Sequence, residues 1–376
     1  MALAAGALVL AGCSDAKYDT LSQQAYILQT KTDANSSVKL TIGNDPVTTD
    51  LNVRLSDVAA SDCHYKLVYD ANALAAFNKR NETNYEMLPE SSFTLSSTDV
   101  TVKQGESVSE NVDVTVSPFT DAMKSSGKKY ALAFRLEGTD GSSSVLPSGS
   151  VLVYVLDRVV IQPVIQLNRQ HYITKESIAT PLSLTAWTLE FNVNKDVLKT
   201  GVGQGNNQAC FSAGPDEIYV RFGDAPIEGD LLQIKTQGTQ MNSKTHFSQN
   251  KWYHIAFVCT GTKLYLYVNG VLDNSMDMPG KTTNFSKYTI CSSSSYWLGN
   301  GLFSEFRFWQ VARSQKEIAN NMYVVDPTTE GLVFYYKFDE GTGKTVHDAS
   351  GHGNDAEVTG DGTDPVWFPD VRIDGK

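Results

Sequence analysis

The stretch NKWYHIAFVCTGTKLYLYVNGVL, residues 250–272, decides the fold. It holds two runs, KWYHIAFVC and KLYLYVNG, in which apolar and polar side chains alternate over five to eight residues, the period of a half-buried strand. In the second run Leu264, Leu266 and Val268 point one way, and Tyr265, Tyr267 and Asn269 the other. Asn269 and Gly270 then supply the Asn-Gly pair that favours a two-residue hairpin turn. The same texture recurs on both sides, in WTLEFNVN, EIYVRFGD, DLLQIKTQ, SEFRFWQ and LVFYYKFDE, with one short helical piece at SQKEIANNM. Regular strands at this spacing predict a two-sheet sandwich.

These segments resemble the concanavalin A-like, laminin-G-type domain. The likeness lies in WTLEFNV, NKWYHIAFVCTGTKLYLYVNGVL, GLFSEFRFWQVARSQKEIANNM and GLVFYYKFDEGTGKTVHDASGHGNDAEV, spanning residues 180 to 360. One departure is order. The FDEGTG block often precedes the other motifs in this family and follows them here, which weakens the subfamily assignment and leaves the fold expectation standing. The resemblance implies a jelly-roll sandwich of lectin type, with Trp187, Trp252 and His254 at packing positions.

From Tyr18 to about Arg158 the strands are shorter: SVKLTI, DLNVRL, YKLVYD, ENVDVTV, KYALAFRL and SVLVYVL, separated by turn signals such as GNDP, KQGE and TDGSSS. ANALAAFNKRN, residues 71 to 81, is alanine-rich with Leu74 and Phe77 three apart, which predicts a short helix. The expected class is therefore all-β: an immunoglobulin-like β-sandwich with one short helix over residues 18–157, then the concanavalin A-like sandwich over residues 158–376. DRVVIQPVIQ marks the boundary, and Pro163 disfavours a continuous strand there. The run from YDANALAAFNKRNETNYEMLPESSFTL to TVKQGE and KKYALAFRLEG resembles the N-terminal domain of unknown function of exported Bacteroidota lipoproteins. In that family it precedes glycosidase or lectin-like modules of glycan-utilisation loci, so the resemblance implies a spacer, without catalytic residues.

Residues 1–17 read as a lipoprotein leader. MALAAGALVLAGC is an apolar run of signal length, too short for a spanning helix. Its LAGC resembles the lipobox of bacterial lipoproteins, which implies cleavage before Cys13 and acylation of its thiol. Because no Lys or Arg precedes the apolar run, the natural start is expected upstream. The expected location is the outer membrane, with cell-surface display suggested by the single acid of SDAK.

The net charge of −11 lacks any basic stripe and excludes a nucleic-acid partner. Five cysteines show no CxxC pair or zinc-finger spacing. Of the four besides Cys13, Cys259 and Cys291 are the first choice for a disulfide, both standing at strand ends in one domain. Four small buried hydrophobes is the equal alternative.

Glycosidases need two carboxylates flanking the scissile bond. On WTLEFNVN, Glu190 shares a face only with Asn192 and Asn194, and amides are neither base nor nucleophile. Glu305 shares its face with Arg307 and Trp309. No strand pairs two acids, so no catalytic residue is assigned and no enzyme is expected.

Sugars are held by aromatic rings and by amide or charged groups that bond hydroxyls. Alternation sends Tyr219 and Arg221, Gln233 and Lys235, and Tyr265 and Tyr267 away from the apolar sets of their strands. If these three strands are neighbours, they form a tyrosine platform for an oligosaccharide. Outward tyrosines also cover cross-strand neighbours with no ligand. Tyr296 and Trp297 offer a second place, with burial favoured for Trp297. Asp339, Asp348, Asn354 and Asp355 carry the oxygen ligands that calcium takes. A turn of this composition also folds without metal, its Asp and Asn bonding their own backbone. The leading functional expectation is a lipid-anchored glycan-binding protein without catalysis, acting in a glycan-utilisation system with outer-membrane transporter components as partners. A protein-binding, adhesive lipoprotein is the alternative.

Overall fold

The computed structural model describes residues 22–30, 37–126, 128–141, 143–214, 217–291 and 296–374. Cys13 and the rest of the leader lie outside these residues. The described chain is all-β with three short helices.

Sheets segregate along the sequence: none mixes a strand ending by Arg158 with one beginning at Ile161. The first part has a six-stranded sheet centred on Tyr130–Gly138 and Val151–Arg158, with two three-stranded sheets. Their shared core includes Leu132, Phe134, Leu152 and Tyr154, the alternate residues of the two central strands. The expected helix runs Ala71–Asn81. Asp70 caps it, its side chain accepting from the Asn72 and Ala73 amides, and Leu74 and Phe77 seat it on Ala131, Ala133 and Val153. A helix at Asp121–Ser125 has no counterpart in the sequence reading.

The second part contains two eight-stranded sheets face to face. One includes Trp187–Lys195, Trp252–Cys259, Lys263–Val268, Val271–Asp277 and Gly301–Trp309; the other includes Gln208–Ala213, Ile218–Asp224, Ile227–Thr236 and Thr239–His246. Between them lies an aromatic core: Phe285 stacks on Phe308 at 3.9 Å, Phe191 on Phe306 at 4.9 Å, and Tyr288 on Phe334 at 4.7 Å. The Asn-Gly hairpin forms with φ of 51° at Asn269 and 76° at Gly270, the positive values that such a turn demands.

Two expectations are corrected. Pro163 does not interrupt the boundary strand; Ile161–Leu167 runs through it, with the irregularity confined to a register shift between Gln162 and Val164. A proline donates no ladder hydrogen bond, and a bulge is where its loss costs least. Cys259 and Cys291 are free thiols, as are Cys63 and Cys210, all four buried. The two candidates stand in opposite sheets: Cys259 Sγ lies 3.9 Å from the Thr185 carbonyl, while Cys291 donates its amide to the Cys210 carbonyl.

Candidate functional site

The two sandwich faces that point away from the aromatic core differ in what covers them. On Gly301–Trp309, Phe303, Phe306 and Phe308 enter the core. A bulge opposite Phe191 places Ser304 and Glu305 consecutively on the other side, with Glu305 at φ 54°. That side also bears Glu190, Asn192, His254, Arg307 and Trp309, all no more than 1% exposed. Residues 311–325 lie across them: Arg307 donates to the Asn321 carbonyl at 3.0 Å, and Asn192 to the Met322 carbonyl at 3.0 Å.

Glu190 is the hub of this layer. Arg313 donates to it at 2.8 Å and Arg307 at 3.2 Å, and His254 Nε2 lies 3.2 Å away. Burial alone would raise its pKa, but Arg313, Arg307 and His254 together hold the carboxyl well below the usual range. Glu305 is pushed up to about 6, mainly by burial, with Arg307 opposing and the Tyr335 hydroxyl donating to it. Neither carboxylate reaches a cleft.

Tyr265 and Tyr267 belong to this covered sheet. Tyr267 packs with Ala256, Val258 and Ile318 under the helix Gln315–Asn320, and Tyr265 joins the same cluster. The three strands of the expected tyrosine platform are therefore not neighbours: Lys263–Val268 pairs with Trp252–Cys259 and Val271–Asp277, in the sheet opposite Tyr219. Alternation along a strand gives a side chain's face and carries nothing about which sheet the strand joins.

The remaining four platform residues do meet. Tyr219 stands opposite Lys235 and Arg221 opposite Gln233 on adjacent antiparallel strands. Ile218, Val220, Phe222, Leu232 and Ile234 fill the core behind them. Arg221 donates from Nη2 to Gln233 at 2.7 Å and from Nη1 to Asn207 at 2.8 Å, and pairs with Asp224 at 2.5 Å. The Tyr219 hydroxyl donates to the same Asn207 oxygen at 2.8 Å, and the Arg221 guanidinium lies 5.4 Å from its ring. This network fixes the ring and the fork. The Lys235 ammonium makes no hydrogen bond or ion pair among the described residues.

These groups line a cleft of about 660 Å³ with Asn207, Tyr219, Arg221, Lys235, Thr236, Gly238, Thr239 and Gln240. Its two cations differ: Arg221 is matched by Asp224, and Lys235 has no counter-charge among the described residues. Asn207 and Gln240 escape the sequence reading. Asn207 sits at φ 62° at the end of the loop GVGQGNN, whose glycines signal a tight turn without saying which strand the turn approaches.

The other expected residues lie elsewhere. Tyr296 is 52% exposed and outside the cleft; Trp297 is buried, with Lys195 Nζ 3.9 Å from its ring. Asp348 accepts from the amides of Tyr335, Ser350 and Asn354; Asn354 accepts from the Ala179 amide; Asp355 accepts from the Asp348 amide. Asp339 is exposed. The oxygens of Asp348, Asn354 and Asp355 thus serve as caps of a turn whose Gly341, Gly343, Gly351 and Gly353 all have positive φ.

A model of the concanavalin A-like lectin/glucanases superfamily matches residues 168–319. The C-terminal domain is concanavalin A-like. A family model for an N-terminal domain matches residues 21–143 ahead of it. No curated protein matches the chain. Among solved structures, a candidate carbohydrate-binding protein from Bacteroides ovatus is 24% identical, with 93% of this chain and 100% of that one aligned at a TM-score of 0.59, which shows a shared fold. A second Bacteroides ovatus protein, of unknown function, aligns 78% of this chain with 94% of its own at 12% identity and TM-score 0.33. A heptameric pentraxin from Limulus polyphemus aligns 43% with 81% at 13% identity and TM-score 0.30. The last two are too distant to carry an argument.

Proposed function

We propose that the chain is a non-catalytic glycan-binding protein of the cell envelope, held at the outer membrane by lipid on Cys13, with the concanavalin A-like domain capturing oligosaccharide. The observation that carries this reading is the cleft at Tyr219. It joins an aromatic ring, amides and an ammonium with no partner among the described residues on one rigid sheet, the groups that hold a sugar ring and its hydroxyls. The Lys235 ammonium, unmatched among the described residues, favours sugars bearing carboxylate or sulfate over neutral ones. The matched carbohydrate-binding protein and the lectin-type domain support the same reading, and Glu190 and Glu305, the carboxylates weighed for catalysis, are buried. The lipobox and the N-terminal module support envelope anchoring, in a glycan-utilisation system whose transporter components are the partners.

Calorimetric titration of the purified chain with neutral, uronate-containing, sialylated and sulfated oligosaccharides tests it. Saturable binding that Tyr219→Ala and Lys235→Ala weaken is the expected result. Flat titrations across the set, with and without calcium, would overturn it. Palmitate labelling in a native host, lost in Cys13→Ala, tests the anchor separately.

A further inference from the structure

Far along the strand from Lys235, the sheet that carries the cleft assembles a second group of side chains. Glu228 and Asp230 stand two residues apart on Ile227–Thr236, so their side chains share a face. His246 ends the neighbouring strand Thr239–His246 opposite Leu231, and the Phe247 amide donates to the Asp230 carbonyl at 2.9 Å. His246 Nδ1 lies 3.1 Å from both Asp230 carboxylate oxygens and 3.8 Å from Glu228 Oε2. One donor atom from each residue falls within 4.8 Å of the other two.

We propose that these three residues bind a divalent first-row transition metal of the zinc type. Ligands held at about 2.0–2.2 Å around such an ion lie roughly 3.3 Å apart, and the observed spacings reach this with small side-chain rotations. A second observation points the same way. The Asp230 side chain is only 9% exposed, yet its sole hydrogen-bond partner among the described residues is the His246 ring. A carboxylate taken out of water normally gathers several donors; this one faces a half-exposed histidine and a second carboxylate whose side chains are 55% and 41% exposed. An ion would satisfy the lone pairs that the protein leaves open.

The backbone beneath is fixed. A side chain at Gly229 would meet the Gln204 carbonyl oxygen at 1.9 Å and that of Lys199 at 2.5 Å, and Glu228 bridges Val202. The 199–204 loop is thereby clamped against the strand that carries two of the ligands. Imidazole among the donors selects zinc, cobalt or nickel over calcium, which takes oxygen ligands. Two carboxylates balance the charge of the ion, and the exposed side leaves a coordination position for water. The assignment is independent of glycan binding.

Tag-free full chain, stripped with chelator, is titrated with Zn²⁺, Co²⁺ and Ca²⁺ by calorimetry, with Co²⁺ also followed by its visible absorption. One equivalent of Zn²⁺ or Co²⁺ should bind, Ca²⁺ at least 10-fold more weakly. Because His246 is largely exposed, His246→Gln should fold normally and lose 10-fold or more of Zn²⁺ affinity; Glu228→Gln should lose less. Retention of full affinity in both variants means an adventitious ion only, and overturns the proposal, as does the absence of any saturable Zn²⁺ binding.

Discussion

Both outer faces of the concanavalin A-like sandwich carry Arg and Tyr, and the two have opposite fates. On the face of Glu190, residues 311–325 cover the strand and every charge is consumed by another. On the face of Tyr219 the strands stay open, and Lys235 is left with no partner among the described residues. A charged residue in a strand therefore says little about function until its cover is known. The same residue types make a buried girder on one side and a binding surface on the other.

The sharpest way to break this contrast is to remove the hub of the buried face. Glu190→Gln leaves Arg313 out of water without a counter-charge and Arg307 with only Glu305, 3.8 Å away, and should cost about 3–5 kcal/mol of stability. Urea denaturation of the full chain measures it. A loss below 1 kcal/mol would mean that the layer is hydrated and the two faces are less different than their burial implies.

Next in size is a paired test on tyrosines. Tyr267 is 7% exposed beneath the helix Gln315–Asn320, so Tyr267→Ala should cost about 2–4 kcal/mol and leave glycan affinity within twofold. Tyr219→Ala should do the reverse. If Tyr267→Ala abolishes binding while the protein remains folded, the covered sheet takes part in recognition.

Glu305 gives the buried face a pH signature. Its carboxyl has a folded value of about 6, against 4.5 for an ordinary glutamate. Between these pH values the native state holds the proton more tightly than the unfolded chain does. Stability from this group is therefore full below about pH 4.5 and is lost as pH rises through 6, by at most about 2 kcal/mol. Glu190 acts oppositely, since its held-down pKa lends stability that disappears only as pH falls through the acid range. Chemical denaturation from pH 4.5 to 7 should show a falling component in the wild type that Glu305→Gln lacks; an unchanged profile in the variant would remove Glu305 as its source.

Much of this was legible in the sequence, and the limits are physical. Period-two alternation placed Ile218, Val220, Phe222, Leu232 and Ile234 in the core, and hence Tyr219, Arg221, Gln233 and Lys235 outside it. Asn-Gly marked the hairpin, and Leu74 with Phe77 marked the helix. Sheet membership was not legible: Lys263–Val268 has the pattern of Ile218–Asp224 and lies across the core from it. Nor was the cover over Glu190, because residues 311–325 are tied down in part through the Asn321 and Met322 carbonyls, which every sequence possesses, and the pairing of Arg313 with Glu190 joins residues 123 apart. The approach of Asn207 to Arg221 depends on a loop path that glycines permit and do not specify. The Glu228, Asp230 and His246 group needed the register of two strands.

The smallest effect on stability belongs to Lys235, and it is the most telling. Its ammonium makes no contact that the fold needs, so Lys235→Ala should change stability by no more than about 0.5 kcal/mol. Affinity for an acidic oligosaccharide should nonetheless fall about 10-fold, equivalent to about 1.4 kcal/mol, and the remaining affinity should depend less on salt. Neutral sugars should be affected much less. Lys235→Glu extends the series: reversing the charge should abolish acidic-sugar binding and spare neutral binding. If Lys235→Ala weakens neutral and acidic sugars equally, the ammonium acts as a hydroxyl donor, and its charge is incidental to what the cleft selects.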